Sequence, residues 1–316
     1  MLRLSLILLS LLSVSVHAED ERWFEVEIYV YQHNSNSVEQ WPTQVTAPKT
    51  NNAVDLIAPV TSTDLTSVRN GLTSCTSQDW ATNSNECNTQ LTTSANASTP
   101  ENIPVEIAAA QPATAYTGNG PVLLARSQSQ FGDIIKKIAR QPGTTSLLHM
   151  TWQQAMKPRN QAKPLHLYAG HDFENTYNYD GQEINTNPNN NDIPSFDFMQ
   201  GIYDHSSKGP VWQLDGTLNI YLNHYLYIEA ALNLREEGTK QVLVTKDNLS
   251  DTTNGYQITN GITETESTPF LYAIPLKQNR RVRSGEIHYF DHPKMGMIIQ
   301  IRKMPQPSTL SIGQSH

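Results

Sequence analysis

Cysteine is scarce in this chain. Only Cys75 and Cys87 occur in 316 residues, and neither follows directly on the amino-terminal apolar run. No lipid-anchored amino terminus is therefore expected. Charge is also sparse: 16% of residues are Asp, Glu, Lys or Arg, and 30 acids against 22 bases leave a formal charge of −8. So little positive charge argues against nucleic acid or an anionic lipid surface as a main partner. Beyond the first residues, no apolar run approaches the roughly 20 residues that a membrane-crossing helix requires, so no membrane insertion is expected.

Catalytic signatures are missing too. No lysine has a serine three residues before it, and Lys-Thr-Gly, Gly-x-Ser-x-Gly and His-Glu-x-x-His do not occur. Glu229 and Glu286 are the carboxylates one could offer as a glycosidase acid. Both fall where strand alternation turns a side chain outward, which explains them without chemistry. His149, His166, His171, His205, His224, His288 and His292 are scattered without ligand spacing, and no histidine stands beside the cysteines. Neither metal nor cofactor is expected. The chain reads as a non-enzyme.

At the amino terminus, Arg3 precedes an apolar and serine-rich run over residues 4–16, and Val16-His17-Ala18 leads into Glu19-Asp20. This is the pattern of a signal peptide over residues 1–18, with cleavage between Ala18 and Glu19. Losing Arg3 takes the charge of −8 to −9. In an oxidising compartment, Cys75 and Cys87 are expected to close one small disulfide loop.

Residues 43–120 are rich in Thr, Asn, Ser and Ala without apolar periodicity, so they read as a low-complexity insert that is largely disordered outside that loop. Residues 174–209 and 236–268 read as long polar loops, with a short strand open over residues 241–245. The tail, residues 305–316, reads as disordered.

The rest is patterned. Residues 19–42 hold a first strand, in which Phe24, Val26, Ile28 and Val30 alternate with Trp23, Glu25, Glu27, Tyr29 and Tyr31, predicting one buried face. Residues 121–304 form the main core. Phe131, Ile134, Ile135 and Ile138 predict a helix between Ser127 and Arg140, capped by Ser127 or Ser129 and stopped by Pro142-Gly143. Strands follow over residues 146–152 and 165–168.

In residues 216–235, apolar residues hold the even positions from Leu218 to Leu234 except at His224. One strand of that length would span roughly 65 Å, so the chain must turn near His224. Keeping parity through the turn needs an odd loop, most simply Asn223-His224-Tyr225. Residues 282–303 suggest a second hairpin of preserved parity. Ile287 and Tyr289 precede Asp291-His292-Pro293-Lys294 there, and Met295, Met297, Ile299 and Ile301 follow. With a strand over residues 270–276, the expectation is an α+β fold: a mainly antiparallel, curved sheet of β-hairpins, open or partly closed, under one covering helix.

Two groups could bind a ligand. Tyr221, Tyr225 and Tyr227 face outward on the first hairpin with Trp212 upstream, and such rings can stack on sugars. Tyrosine is equally at home in any strand. Lys277, Arg280, Arg281 and Arg283 form the one basic cluster, suited to the carboxylates of acidic wall peptides. A charged turn that blunts edge pairing explains it as simply.

Four stretches together resemble the CsiV family. They are Trp23-Phe24-Glu25-Val26-Glu27-Ile28-Tyr29-Val30-Tyr31-Gln32 with Glu39-Gln40-Trp41-Pro42; Leu147-Leu148-His149-Met150-Thr151-Trp152-Gln153-Gln154; residues 216–234; and Ser284-Gly285-Glu286-Ile287-His288-Tyr289-Phe290-Asp291-His292-Pro293 leading into residues 297–301. The resemblance implies a periplasmic, non-catalytic protein that binds peptidoglycan and promotes cell-wall synthesis. It also implies a partner, the LpoA outer-membrane lipoprotein that activates penicillin-binding protein 1a. It carries no residue-level binding motif to these positions. The alternatives are a small outer-membrane β-barrel or envelope structural protein, and a wall hydrolase. Few clear hairpins and a polar tail count against the barrel.

Overall fold

The computed structural model describes residues 22–34, 41–43, 45, 47–61, 100–184, 209–246 and 262–307. In chain order the elements are β1 (Arg22–His33), β2 (Val54–Asp55), α1 (Ala58–Thr61), β3 (Asn102–Ile103), β4 (Glu106–Ile107), β5 (Val122–Leu123), α2 (Gly132–Ala139), β6 (Thr144–Met156), β7 (Leu165–Asp172), β8 (Trp212–Asn223), β9 (Tyr225–Lys246), β10 (Ile262–Val282), β11 (Ile287–His292) and β12 (Met295–Lys303). The first sheet runs β11-β12-β1-β6-β4 with β5 also on β6, and the second runs β10-β9-β8-β7-β2 with β3 also on β7. All long pairings are antiparallel, whereas the two-residue strands β2 and β4 pair parallel, so the sheets are mixed. Neither sheet closes into a barrel among the described residues.

The expected single sheet is thus two. The hairpin through His224 lies in the second sheet and β11–β12 lies in the first. Alternation tells each strand which side is apolar, but both sheets present that side to one shared core. Val26, Ile28, Met150, Trp152, Met297 and Ile299 from the first sheet pack in one cluster with Leu218, Ile228, Leu232 and Ile274 from the second. Burying a side chain of this size is worth about 1.5–3 kcal/mol, so this shared interior is the main force holding the sheets together.

The first hairpin turns as its parity requires. Leu222 pairs with Leu226 and Asn223 with Tyr225, leaving His224 at the apex with φ 59. The second hairpin departs from expectation. His292 pairs with Met295, so its loop is the two residues Pro293 and Lys294, and parity reverses. Phe290 and Met297 share the inward side, while Ile287 and Tyr289 are 52% and 43% exposed.

β1 is buried on both faces, not one, because it sits between β12 and β6 while α2 covers its other side. Phe131, Ile134, Ile135 and Ile138 pack there against Tyr29, Tyr31 and Ile298. No serine caps this helix. The backbone N–H groups of Gln130 and Phe131 instead donate to the Glu27 carboxylate at 2.9 and 2.8 Å, and Ser129 Oγ donates to the same group at 3.2 Å. An acid on a neighbouring strand thereby supplies the negative charge that a helix amino terminus favours.

The flanks of the segment read as an insert belong to the core. Ile57, Ile103, Ile107 and Ala115 are all buried. Cys75 and Cys87 lie outside the described residues. Much of the segment read as a polar loop over residues 236–268 is strand, since β9 and β10 stay paired from Leu226↔Val282 to Lys246↔Ile262. Residues 173–184 lie on the outer side of the second sheet, where Leu271 N–H donates to the Gly181 carbonyl at 2.8 Å. At the other end, Gln306 accepts from Trp23 N–H at 2.8 Å.

Candidate functional site

The turn at His224 brings the sequence-derived tyrosines to one end of the second sheet's outer face. Tyr221 and Tyr227 stand directly opposite each other on β8 and β9, their rings stacked with centroids 5.2 Å apart and planes 10° from parallel. β10 runs beside β9, so Arg281 is opposite Tyr227 and Lys277 is opposite Ala231. Direct cross-strand partners share a face, which places both cations beside the tyrosines. The Arg281 guanidinium lies 4.7 Å over the Tyr225 ring. The Arg159 guanidinium lies 5.7 Å from the Tyr221 ring and pairs with Glu229 at 3.2 Å.

Lys277, Arg281 and Arg283 are exposed. Arg283 has Glu286 at 3.7 Å, an exposed pair worth well under about 1 kcal/mol. Among the described residues, neither Lys277 nor Arg281 has a carboxylate partner. These cations stand on the strand β10 and just past its end at Val282, so the basic cluster is a row along a sheet edge, not a hairpin turn.

Two sequence-derived residues do not join this face. Trp212 is 4% exposed and stacks on Tyr168 with centroids 5.3 Å apart, because it has the inward parity of Leu214. Arg280 has the parity of Val282 and reaches across to the first sheet. Its Nη1 donates to the Tyr289 carbonyl at 2.9 Å and its guanidinium lies 4.8 Å over the Phe290 ring.

A second polar cluster, invisible to motif reading, lies on the outer side of the first sheet. Glu27 is fully buried and meets His149 Nε2 at 3.0 Å and Arg302 Nη1 at 2.7 Å. Arg302 also binds Glu25 at 2.7 Å. Burial pushes the Glu27 carboxyl up, but His149, the Gln130 amide, Arg302 and the Phe131 amide outweigh it and hold it at about 2. Ser129, His149 and Glu27 are the residue types of a nucleophile relay, yet Ser129 Oγ and Glu27 Oε1 both contact the same ring nitrogen, at 3.3 and 3.0 Å. A relay needs the acid on one nitrogen and the nucleophile on the other. This cluster therefore anchors α2 and β12 to β1. The one sequence signal for it was a pair of acids, Glu25 and Glu27, alternating with Val26 and Ile28 in a chain poor in charge.

A third group sits beneath residues 173–184. Asp215 accepts from the Tyr179 hydroxyl at 2.9 Å and meets His166 Nε2 at 2.8 Å, and the buried Arg235 guanidinium lies 4.2 Å from the Tyr179 ring. These contacts brace the covering segment. Among the described residues, no three His, Cys, Asp or Glu side chains gather as a metal-ligand set. No described helix is long and apolar enough to cross a membrane.

The family model for "Peptidoglycan-binding protein, CsiV" matches residues 1–304, nearly the whole chain. No curated protein and no solved structure matches it. The chain belongs to the CsiV family of peptidoglycan-binding proteins.

Proposed function

We propose that this chain is exported to the periplasm, cleaved between Ala18 and Glu19, and acts there as a non-catalytic peptidoglycan-binding protein that promotes cell-wall synthesis. Its partner in this reading is the periplasmic domain of an LpoA-type outer-membrane lipoprotein. Family membership supports the wall as ligand. The observation that carries the location of contact is the end of the second sheet where Lys277 and Arg281, without a carboxylate partner among the described residues, stand beside Tyr225 and Tyr227 in a chain of net charge −8. A local positive strip is what an acidic protein needs to approach an acidic polymer.

The test uses the mature chain and purified sacculi. The chain should sediment with sacculi, release no soluble muropeptides, crosslink to the lipoprotein, and raise the rate of the lipoprotein-activated synthase. A chain that stays in the supernatant, or one that digests the sacculi, contradicts the reading.

A further inference from the structure

We infer that the part of peptidoglycan bound at this face is the stem peptide, held through its carboxylates by Lys277, Arg281 and Arg283, and not the sugar strand. This rests on the reading that the wall binds here. The argument begins with what the aromatic rings still offer. Stacking on a sugar needs an open ring face. Tyr221 is only 5% exposed, with Tyr227 against its ring at 5.2 Å and Arg159 at 5.7 Å. Tyr227 has given one face to that stack. Tyr225, 56% exposed, carries the Arg281 guanidinium over its ring at 4.7 Å. Trp212 is in the core. The aromatic side chains thus serve as a bed for guanidinium groups, and the cations are presented outward beside Glu229, which is opposite Asn279 and is engaged by Arg159 at 3.2 Å.

A guanidinium stacked on a ring keeps its in-plane N–H donors free, and the ring holds it in place. That fork matches a carboxylate in two parallel hydrogen bonds. In the wall polymer, the free carboxylates belong to the stem peptide. The muramic acid carboxylate is consumed in its amide bond to that peptide, so the glycan itself offers neutral hydroxyls and acetamides.

Spacing favours the same ligand. Positions 281 and 283 are two residues apart along the chain and 277 and 281 are four apart, which is roughly 7 Å and 13 Å at about 3.3 Å per residue. Cations set apart by these distances can each meet a different carboxylate of one peptide. Asn279, between Lys277 and Arg281 on the same side of the strand, is exposed and can donate to a peptide carbonyl.

The test compares three substrates: native sacculi, sacculi whose carboxyls have been converted to amides, and, as competitor, peptide-free glycan strands in which the muramic carboxyls exposed by peptide removal have also been converted to amides. The mature chain should bind amidated sacculi at least about tenfold more weakly than native ones, and glycan strands should not displace it. Lys277→Glu with Arg281→Glu should weaken binding to native sacculi by a similar factor while the circular-dichroism melt stays that of the parent. Arg281→Lys should weaken binding measurably, though less than the reversal, because the ammonium keeps the charge and loses the planar fork. Equal binding to native and amidated sacculi, or displacement by glycan strands, overturns the inference while leaving the face as a wall site if the double variant still loses binding. A folded double variant that binds native sacculi as the parent does overturns the site itself.

Discussion

The Arg280 guanidinium donates to the Tyr289 carbonyl at 2.9 Å, and through this bond the edge strand of one sheet holds the edge strand of the other. Gln278 adds a longer bond to the Asp291 carbonyl at 3.4 Å. Neighbours in sequence, Arg280 and Arg281 thus face opposite ways: one joins the sheets, and the other lies on the outer face that the proposal assigns to the wall.

Arg280→Ala should lower stability by about 1 kcal/mol, the worth of one exposed charge-assisted bond and a ring contact, and leave sacculus binding intact. Urea denaturation and co-sedimentation on the same variant check both halves. Unchanged stability with lost binding would reverse the roles assigned here.

Glu27 sets an acid limit to the fold. Its folded carboxyl titrates at about 2, below the ordinary glutamate value near 4.3, so its contribution is complete above the unfolded value and is lost as pH falls toward 2. Glu27→Gln removes the buried carboxylate shared by His149, Arg302 and the Gln130 and Phe131 amides and leaves Arg302 to Glu25 alone, at a cost of about 1–3 kcal/mol. The variant should also show a flatter stability profile between roughly pH 4.3 and 2, read from urea midpoints at successive pH values. A parent whose midpoint does not move across that interval would contradict the assignment.

His224 is the one non-glycine at positive φ among the described residues. A β-branched side chain there is strained by about 1–2 kcal/mol, so His224→Val should lower the melting temperature while His224→Gly stays within about 1 kcal/mol of the parent. Equal stability of all three would show that the turn does not hold this conformation.

Gly216 faces the backbone of Ala231 and Leu232 so closely that an added Cβ would contact the Ala231 carbonyl. Gly216→Ala should therefore push β8 from β9 and cost about 1–3 kcal/mol, seen as a lower melting temperature. A variant as stable as the parent would mean the two strands part without penalty.

What was legible in the sequence was local. Alternation marked β1, β6 and the His224 hairpin, because a half-apolar strand writes its own period. The division into two sheets was not legible, since period identifies a face and not the strand that pairs beside it. The β11–β12 turn is hidden for a related reason: Ile287 and Tyr289 look like core residues until the two-residue loop at Pro293-Lys294 reverses their side. Glu25 and Glu27 alternate with apolar residues as solvent-facing acids do; only α2, folded over Glu27 from a hundred residues away, makes it buried. In the candidate site, Arg281 and the tyrosines were found by residue type. Parity decides the fate of Trp212 and Arg280: each has the parity of an inward apolar neighbour, Leu214 and Val282.

The most direct measurement of the central claim is the affinity of the folded Lys277→Glu, Arg281→Glu double variant for native sacculi, beside the parent at low and high salt. The account predicts parental binding that weakens as salt shortens the Debye length below about 8 Å, and binding by the double variant reduced about tenfold or more at low salt. Equal binding by both proteins at every salt concentration would contradict it.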